Sequence, residues 1–219
     1  MAVLEADKCK NTAFLYGSET IVGRQIIRDL KKSGWNVIEK EIKNNSKESF
    51  DQQVSVLLKE HIKIDLLVLG YDEEITAVDI WNSQEEWDQA VEKYEQNINR
   101  NLILIHRLLP LMDAGDGKRI CYVNSIASSN NLCRDTKHYL NHMIGAARNM
   151  QAAILKNRLQ PEGYTFRIFG YEEGERKHQD SFCVVDYFLK DRSIDPGSNQ
   201  HSDEFRLVMR DSEGREVPW

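Results

Sequence analysis

No run of apolar residues in this 219-residue sequence approaches the ~18 needed to span a bilayer, so no membrane-crossing helix is expected. Cysteine is sparse. The four residues Cys9, Cys121, Cys133 and Cys183 form no CxxC pair and no disulfide framework, which fits a reducing, cytoplasmic setting. The first residues, Met-Ala-Val-Leu-Glu-Ala-Asp-Lys, lack a basic stretch followed by an apolar one, so no signal peptide is expected. Positive charge is in deficit. A formal net charge of −6 argues against nucleic acid or an anionic membrane as the main partner. Internal repeats and low-complexity segments are also missing.

What is present is an ordinary globular composition, with 41% apolar and 29% charged residues. Its length suits one α/β domain that buries about 70% of its unfolded surface. The chain is organised around Thr12-Ala-Phe-Leu-Tyr-Gly-Ser-Glu-Thr-Ile-Val-Gly23-Arg-Gln-Ile-Ile-Arg-Asp-Leu30. This stretch reads as a short apolar strand, a tight turn opened by Gly17, and a helix whose start Gly23 marks. In dinucleotide-binding proteins that order of elements offers helix N-terminal N–H groups to a pyrophosphate.

Further along, Leu30-Lys-Lys-Ser-Gly34 closes the first helix, and residues 35–42 read as a second strand. Val54, Leu57 and Leu58 give helical spacing to residues 50–61, and Ile64-Asp-Leu-Leu-Val-Leu69, followed by Gly70, suits a strand covered on both faces. Ser83-Gln-Glu-Glu86 matches a capping box for a long helix that runs, with a break, to Met112 and frays near Pro110 close to its end. Residues 118–124 form the next strand, and Asp135 or Thr136 would cap a helix running to Leu159, ended by Pro161-Glu-Gly163. Residues 164–169 are a further strand, residues 182–189 read as a helix, and residues 204–210 alternate like a last strand before a turn at Ser212-Glu-Gly214. Residues 172–180 and 191–203 read as loops. Strands alternating with helices predict a doubly wound parallel sheet in a three-layer α/β/α arrangement. The expectation is a single domain over 1–219, with core sheet and helices at 11–172 and a divergent carboxyl segment at 173–219.

Several landmarks resemble the short-chain dehydrogenase/reductase family over residues 11–171. Arg119-Ile-Cys-Tyr-Val-Asn-Ser125-Ile-Ala looks like the family's fifth strand with its catalytic serine, and Ala146-Ala-Arg-Asn-Met150 followed by Leu159-Gln-Pro-Glu-Gly163-Tyr-Thr-Phe looks like its fifth helix entering strand six. The resemblance implies a Rossmann-like fold and an NAD(P) site formed by Gly17, Ser18, Ile21, Gly23 and Gly70. It also implies relic catalytic positions at Ser125, Tyr139 and Asn97.

The family's functional pattern is nevertheless broken. Tyr16-Gly-Ser-Glu-Thr-Ile21-Val-Gly23 loses the middle glycine of the cofactor turn, and Leu69-Gly-Tyr-Asp72 stands in place of Asn-Asn-Ala-Gly. Counted back from Pro161, the tyrosine position is Asn141 and the lysine position Gly145. A two-residue shift brings in Tyr139 but puts Met143 in the lysine slot. Pro-Gly after strand six is replaced by Tyr171-Glu172. An unassisted tyrosine titrates near pH ~10, and losing a placed proton donor costs on the order of 10²–10⁴ in rate. Glu19, Asp72, Glu73 and Glu74 add carboxylates, and one lying ~5 Å from a phosphate charge costs roughly 3 kcal/mol at an effective dielectric of 20.

Each candidate also has a plainer reading. Ser125 is a relic binding residue or a turn former. Tyr139 is a lone acid or a half-buried aromatic. Glu39 or Glu41 could bind an adenosine ribose or face solvent. Cys133, His138 and His142 could form a metal-assisted site, although no further ligand pattern supports one and no metal is expected. The leading expectation is a degenerate member of this family, a non-catalytic scaffold, partner subunit or ligand sensor that binds no cofactor. The alternative is an NAD(P)-dependent oxidoreductase acting on a small carbonyl or alcohol through an altered site. The resemblance further implies a homodimer, or a heteromer with a related subunit, built on helices four and five. Gly145, Ala146 and Ala147 would permit close helix approach there.

Overall fold

The computed structural model describes residues 11–42, 47–71, 84–134, 138–171, 183–189, 203 and 206–219. Strands β1 (Thr12–Tyr16), β2 (Asn36–Lys40), β3 (Leu66–Leu69), β4 (Arg119–Ser125), β5 (Thr165–Tyr171), β6 (Met209–Arg210) and β7 (Glu216–Val217) form one sheet in the order β2-β1-β3-β4-β5-β6-β7. All neighbours are parallel except β6 and β7.

The central strands are apolar on both faces because both faces are covered. Phe14, Tyr16, Leu67, Leu69, Ile120, Tyr122, Phe166 and Ile168 belong to one core cluster, packed with side chains of α2 (Lys47–Lys59), α4 (Arg100–Asp113) and α5 (Tyr139–Leu159). The alternate residues Ala13, Leu15, Leu66, Val68, Cys121, Val123 and Phe169 pack with α1 (Ile21–Lys32) and α6 (Val184–Leu189). The period-two alternation of strand side chains thus produces the three layers.

Local chemistry sets the element ends, and some differ from expectation. Helix α1 begins at Ile21 rather than Gly23, because the Thr20 side chain caps it by accepting from the Gly23 amide at 2.9 Å. It closes as expected at Gly34, where the Trp35 amide reaches back to the Leu30 carbonyl at 3.0 Å. The break in the long third helix is a π-helical turn, Glu95–Asn99, between α3 (Gln84–Tyr94) and α4. Helix α4 passes Pro110 and ends at Asp113, one residue beyond the expected Met112, because its last turn buries Leu111 and Met112. The last strand shrinks to Met209–Arg210, and the turn after it leads into β7, which the short Glu216–Val217 pattern did not announce. The proposed caps Ser83, Asp135 and Thr136, the loop at 172–180 and most of the loop at 191–203 lie outside the described residues.

Asp65 clamps the amino-terminal edge of the sheet. Its buried carboxylate accepts from the backbone amides of Thr12, at 2.8 Å, and of Asp116 and Gly117, at 2.8 and 3.3 Å, tying β1 to the loop before β4. At the opposite edge, Asn131 donates to the Trp219 backbone oxygen at 2.8 Å and Ser129 donates to the Pro218 carbonyl. The β6–β7 hairpin is thereby fastened beside the end of β4.

Candidate functional site

The chain runs outward from β1 to β2 and then crosses back to β3 on the other side of β1, so the strand order reverses between β1 and β3. Open α/β sheets bind ligands at the carboxyl ends of strands at such a reversal. The strand bearing Ser125 is the fourth here, one fewer than the resemblance implies. Among the described residues, only β2 lies outside β1.

Gly17 and Gly70 meet at this edge. The Gly70 amide donates to the Tyr16 carbonyl at 2.6 Å, and a Cβ on Gly17 would stand 2.9 Å from the Gly70 Cα. A Cβ on Gly23 would lie 2.1 Å from the Gly17 carbonyl oxygen, so helix–strand contact alone accounts for that glycine. The turn's amides are largely engaged. Gly17 and Ser18 both donate to the Lys40 carbonyl, at 2.7 and 3.1 Å, and Thr20 donates to the Gly17 carbonyl at 3.3 Å. The Ile21 side chain sits at the first position of α1 and is 52% exposed. Glu19 turns its carboxylate inward and accepts from the Ile42 amide at 2.8 Å. Glu39 is paired with Lys31 at 2.7 Å on the surface, while Asp72, Glu73 and Glu74 lie outside the described residues.

The relic catalytic positions come from three elements. Ser125 ends β4, nearly buried, and its hydroxyl accepts from the Ala127 amide at 3.1 Å, the geometry of a turn former. Asn97 is buried in the π-helical turn, where its amide donates to the Lys93 carbonyl at 2.9 Å. Tyr139 is the first residue of α5 and 38% exposed. His142 lies one turn on, with Nδ1 2.5 Å from the Ala127 carbonyl oxygen and 3.8 Å from the Cys133 sulfur. No group of three His, Cys, Asp or Glu side chains is gathered among the described residues.

Both registers for the family lysine can be located. Met143 points outward and is 58% exposed. Gly145 packs directly on the turn after β4, and a Cβ there would lie 2.5 Å from the Ser128 Cβ and 3.1 Å from the Ser128 Cα. That contact is locked by a buried amide network. Asn124 donates to the Gly145 carbonyl at 2.9 Å and to Asn149 Oδ1 at 2.8 Å, and Asn149 donates to the Ser128 hydroxyl at 3.0 Å. No side chain, lysine included, fits at residue 145 without moving backbone.

One turn further along α5 is a residue the sequence reading passed over. Arg148 is 1% exposed, yet no carboxylate among the described residues bonds to it. Its Nη2 donates to the carbonyls of Leu69, Gly70 and Val123 at 3.0, 2.8 and 2.8 Å, and Nη1 donates to the Asn97 carbonyl at 3.3 Å. Tyr71 and Tyr122 present ring faces at 5.6 and 5.4 Å. Burial lowers its pKa to about 10. The π-helical turn explains part of this. It breaks the regular helical ladder, and Arg148, Gln151 and Asn101 satisfy the carbonyls of Asn97 and Ile98. The signal was available in sequence, since Asn141, Gly145, Arg148 and Ala152 follow helical spacing and define the buried face of α5.

Along the same edge, a cavity of about 260 Å³ opens between the end of β4 and the β6–β7 hairpin, lined in part by Ile126, Gly170, Asp211, Ser212 and Arg215.

No family model matches the sequence, and no curated protein does. Solved structures do match in fold. The carbonyl reductase Sniffer of D. melanogaster aligns with a TM-score of 0.70 at 12% identity, covering 96% of this chain and all of that one. A Burkholderia multivorans protein described as a short-chain alcohol dehydrogenase aligns with a TM-score of 0.65 at 15% identity, with 96% and 100% coverage. A short-chain dehydrogenase/reductase of the same organism with bound NADP gives 0.63 at 16% identity, again with 96% and 100% coverage. The chain has the Rossmann-like short-chain dehydrogenase/reductase fold.

Proposed function

We propose that this chain is a non-catalytic protein on a dehydrogenase scaffold, acting as a partner subunit, scaffold or ligand sensor. The observation that carries this reading is the contact between Gly145 and Ser128. It leaves no room for the lysine that the family reaction uses to lower its tyrosine's pKa and hold the cofactor's ribose. The cofactor turn points the same way. Ile21 and Glu19 stand at the helix start, and the Gly17 and Ser18 amides are engaged by Lys40, so these residues do not fit a dinucleotide's pyrophosphate. NAD(P) or NAD(P)H at millimolar concentration should leave the melting temperature unchanged. A saturable rise would overturn the reading.

The rival reading, an NAD(P)-dependent oxidoreductase with an altered site, draws on retained parts. Helix α1 still begins at a capped amino-terminus beside Gly17, and Ser125 remains at the strand end. That reading requires hydride transfer to a small carbonyl, followed at 340 nm, that disappears in Tyr139→Phe.

Pairing belongs to the same proposal, with a second copy or a related subunit covering α4 and α5. Met143, Met150 and Ile154 form an outward stripe on α5, each about 60% exposed, and Leu102 and Ile103 of α4 are both 41% exposed. Sedimentation should detect a dimer that Met150→Glu with Ile154→Glu dissociates. A monomer at micromolar concentration in the unmodified chain would refute the pairing.

A further inference from the structure

Helix α3 and the first residue of the π-helical turn carry most of the chain's net negative charge. Residues 84–95 hold five carboxylates, Glu85, Glu86, Asp88, Glu92 and Glu95, against the single base Lys93, a net charge of −4 in a chain whose total is −6. The helix is seated on the protein through Ala90, which is 6% exposed, while Trp87, Val91 and Tyr94 are 51%, 55% and 41% exposed. Spacings of four and three residues put these three on one face of α3, about 100° round from Ala90. Asp88, Glu92 and Glu95 each follow by one residue and form a parallel row beside the stripe, with Asp88 and Glu92 exposed and Glu95 half-buried. Glu92 accepts from the Gln96 amide at 2.9 Å and Glu95 from the Asn99 amide, neutral donors that leave both charges standing. An apolar stripe and an acidic row thus lie side by side on the surface.

We propose, on the partner-subunit reading above, that the α3 stripe is the docking surface for a basic amphipathic helix of a partner protein. Trp and Tyr are among the side chains that anchor interfaces most strongly, and apolar anchors at i, i+4 and i+7 match the apolar seam of a helix laid along α3. Lys or Arg flanking that seam meets Asp88, Glu92 and Glu95, which sets the sign of the partner. A second copy docked on the stripe about a twofold axis brings one acidic row against the other. Nucleic acid and anionic lipid carry the wrong charge.

Isothermal titration of the full chain tests this with a synthetic Leu/Lys peptide whose leucines share one helical face, and with a peptide of the same composition scrambled so that they do not. At physiological salt the first should bind saturably and about tenfold more tightly than the second. Val91→Ser should remove that advantage. Asp88→Lys with Glu92→Lys should abolish binding of the Leu/Lys peptide and admit its Leu/Glu counterpart. Equal affinity for ordered and scrambled peptides, unweakened binding to Val91→Ser, or an unchanged preference after charge reversal would overturn the proposal. All three sites are exposed, so the variants should keep the circular dichroism spectrum and melting temperature of the unmodified chain. Were one not to fold, the two peptides on the unmodified chain still decide the matter. Sedimentation separates a partner from a second copy. Val91→Ser should leave the oligomeric state unchanged, and dissociation in that variant would assign the stripe to self-pairing and sink the idea. Binding of NAD(P) would overturn the non-catalytic reading without altering any of these results.

Discussion

Replacing Gly145 by alanine tests the packing on which the functional reading depends. A glycine inside a helix ordinarily loses to alanine by about 0.5–1 kcal/mol, so on propensity alone the substitution should stabilise the protein. At this position the new methyl group would sit 2.5 Å from the Ser128 Cβ and 3.1 Å from its Cα, inside any normal carbon–carbon contact. The helix and the turn after β4 must then separate, and overpacking of this kind costs about 1–3 kcal/mol. Separation also strains the bonds from Asn124 to the Gly145 carbonyl and from Asn149 to Ser128. The net expectation is a loss of about 1–2 kcal/mol, or on the order of 2–8 °C in melting temperature for a chain of this size. Urea denaturation followed by circular dichroism should show a lower midpoint with an unchanged slope. Ser128→Gly should relieve part of the loss, giving a favourable coupling in the double-mutant cycle. Gly145→Lys should be still less stable and should not create hydride transfer. A Gly145→Ala protein as stable as the original, or more so, would refute the close packing and remove the main support for lost catalysis.

Asp65→Ala leaves three backbone amides without their acceptor and should cost about 3 kcal/mol in the same denaturation assay; a change below measurement error would show that water replaces the carboxylate. Burial pushes the Cys121 thiol up to about 12, so alkylation at pH 8 with mass-spectrometric readout should modify exposed Cys183 and leave Cys121 unreacted. Alkali gives a further test. Burial raises the pKa of Tyr16 to about 12 and pushes Tyr122, Tyr164 and Tyr187 higher still. In the folded state these groups hold protons that the unfolded chain releases near pH 10, so the stability they confer is complete below that value and is lost as pH rises above it. Arg148, with its pKa lowered, contributes in the opposite sense. Counting Cys121, five raised groups against one predict falling stability above pH 10, with part of the 295 nm phenolate signal delayed until unfolding; stability that is flat or rising through that range would contradict this.

The frame of the molecule was legible because each element announces itself in short-range pattern. The run from Leu66 to Leu69 is apolar on both faces because helices cover both, and Gly34 ends α1 because it accepts a positive φ. The strand pairs β6 and β7 are two residues long, too short for periodicity to register, and depend on tertiary docking through Ser129 and Asn131 onto the backbone of Pro218 and Trp219. Within the site, the sequence put Gly145 or Met143 where the resembling family carries its lysine, but did not show what surrounds that position. That residue 145 is closed to any side chain depends on Ser128, which is distant in sequence and adjacent only after β4 and α5 pack. Helical spacing put Arg148 on the buried face of α5, but its partners were hidden for a related reason. Arginine is almost never fully buried without a partner, and its partners here are carbonyls, which every residue possesses and no sequence displays. Two of the four come from the Leu69-Gly70 stretch where the resembling family carries its own motif, and another from the π-helical turn at Asn97. Gly145 and Arg148, one turn apart on α5, both meet the sheet at the carboxyl ends of β3 and β4. There the glycine lets α5 pack on the turn after β4, and the arginine satisfies the last carbonyls of β3.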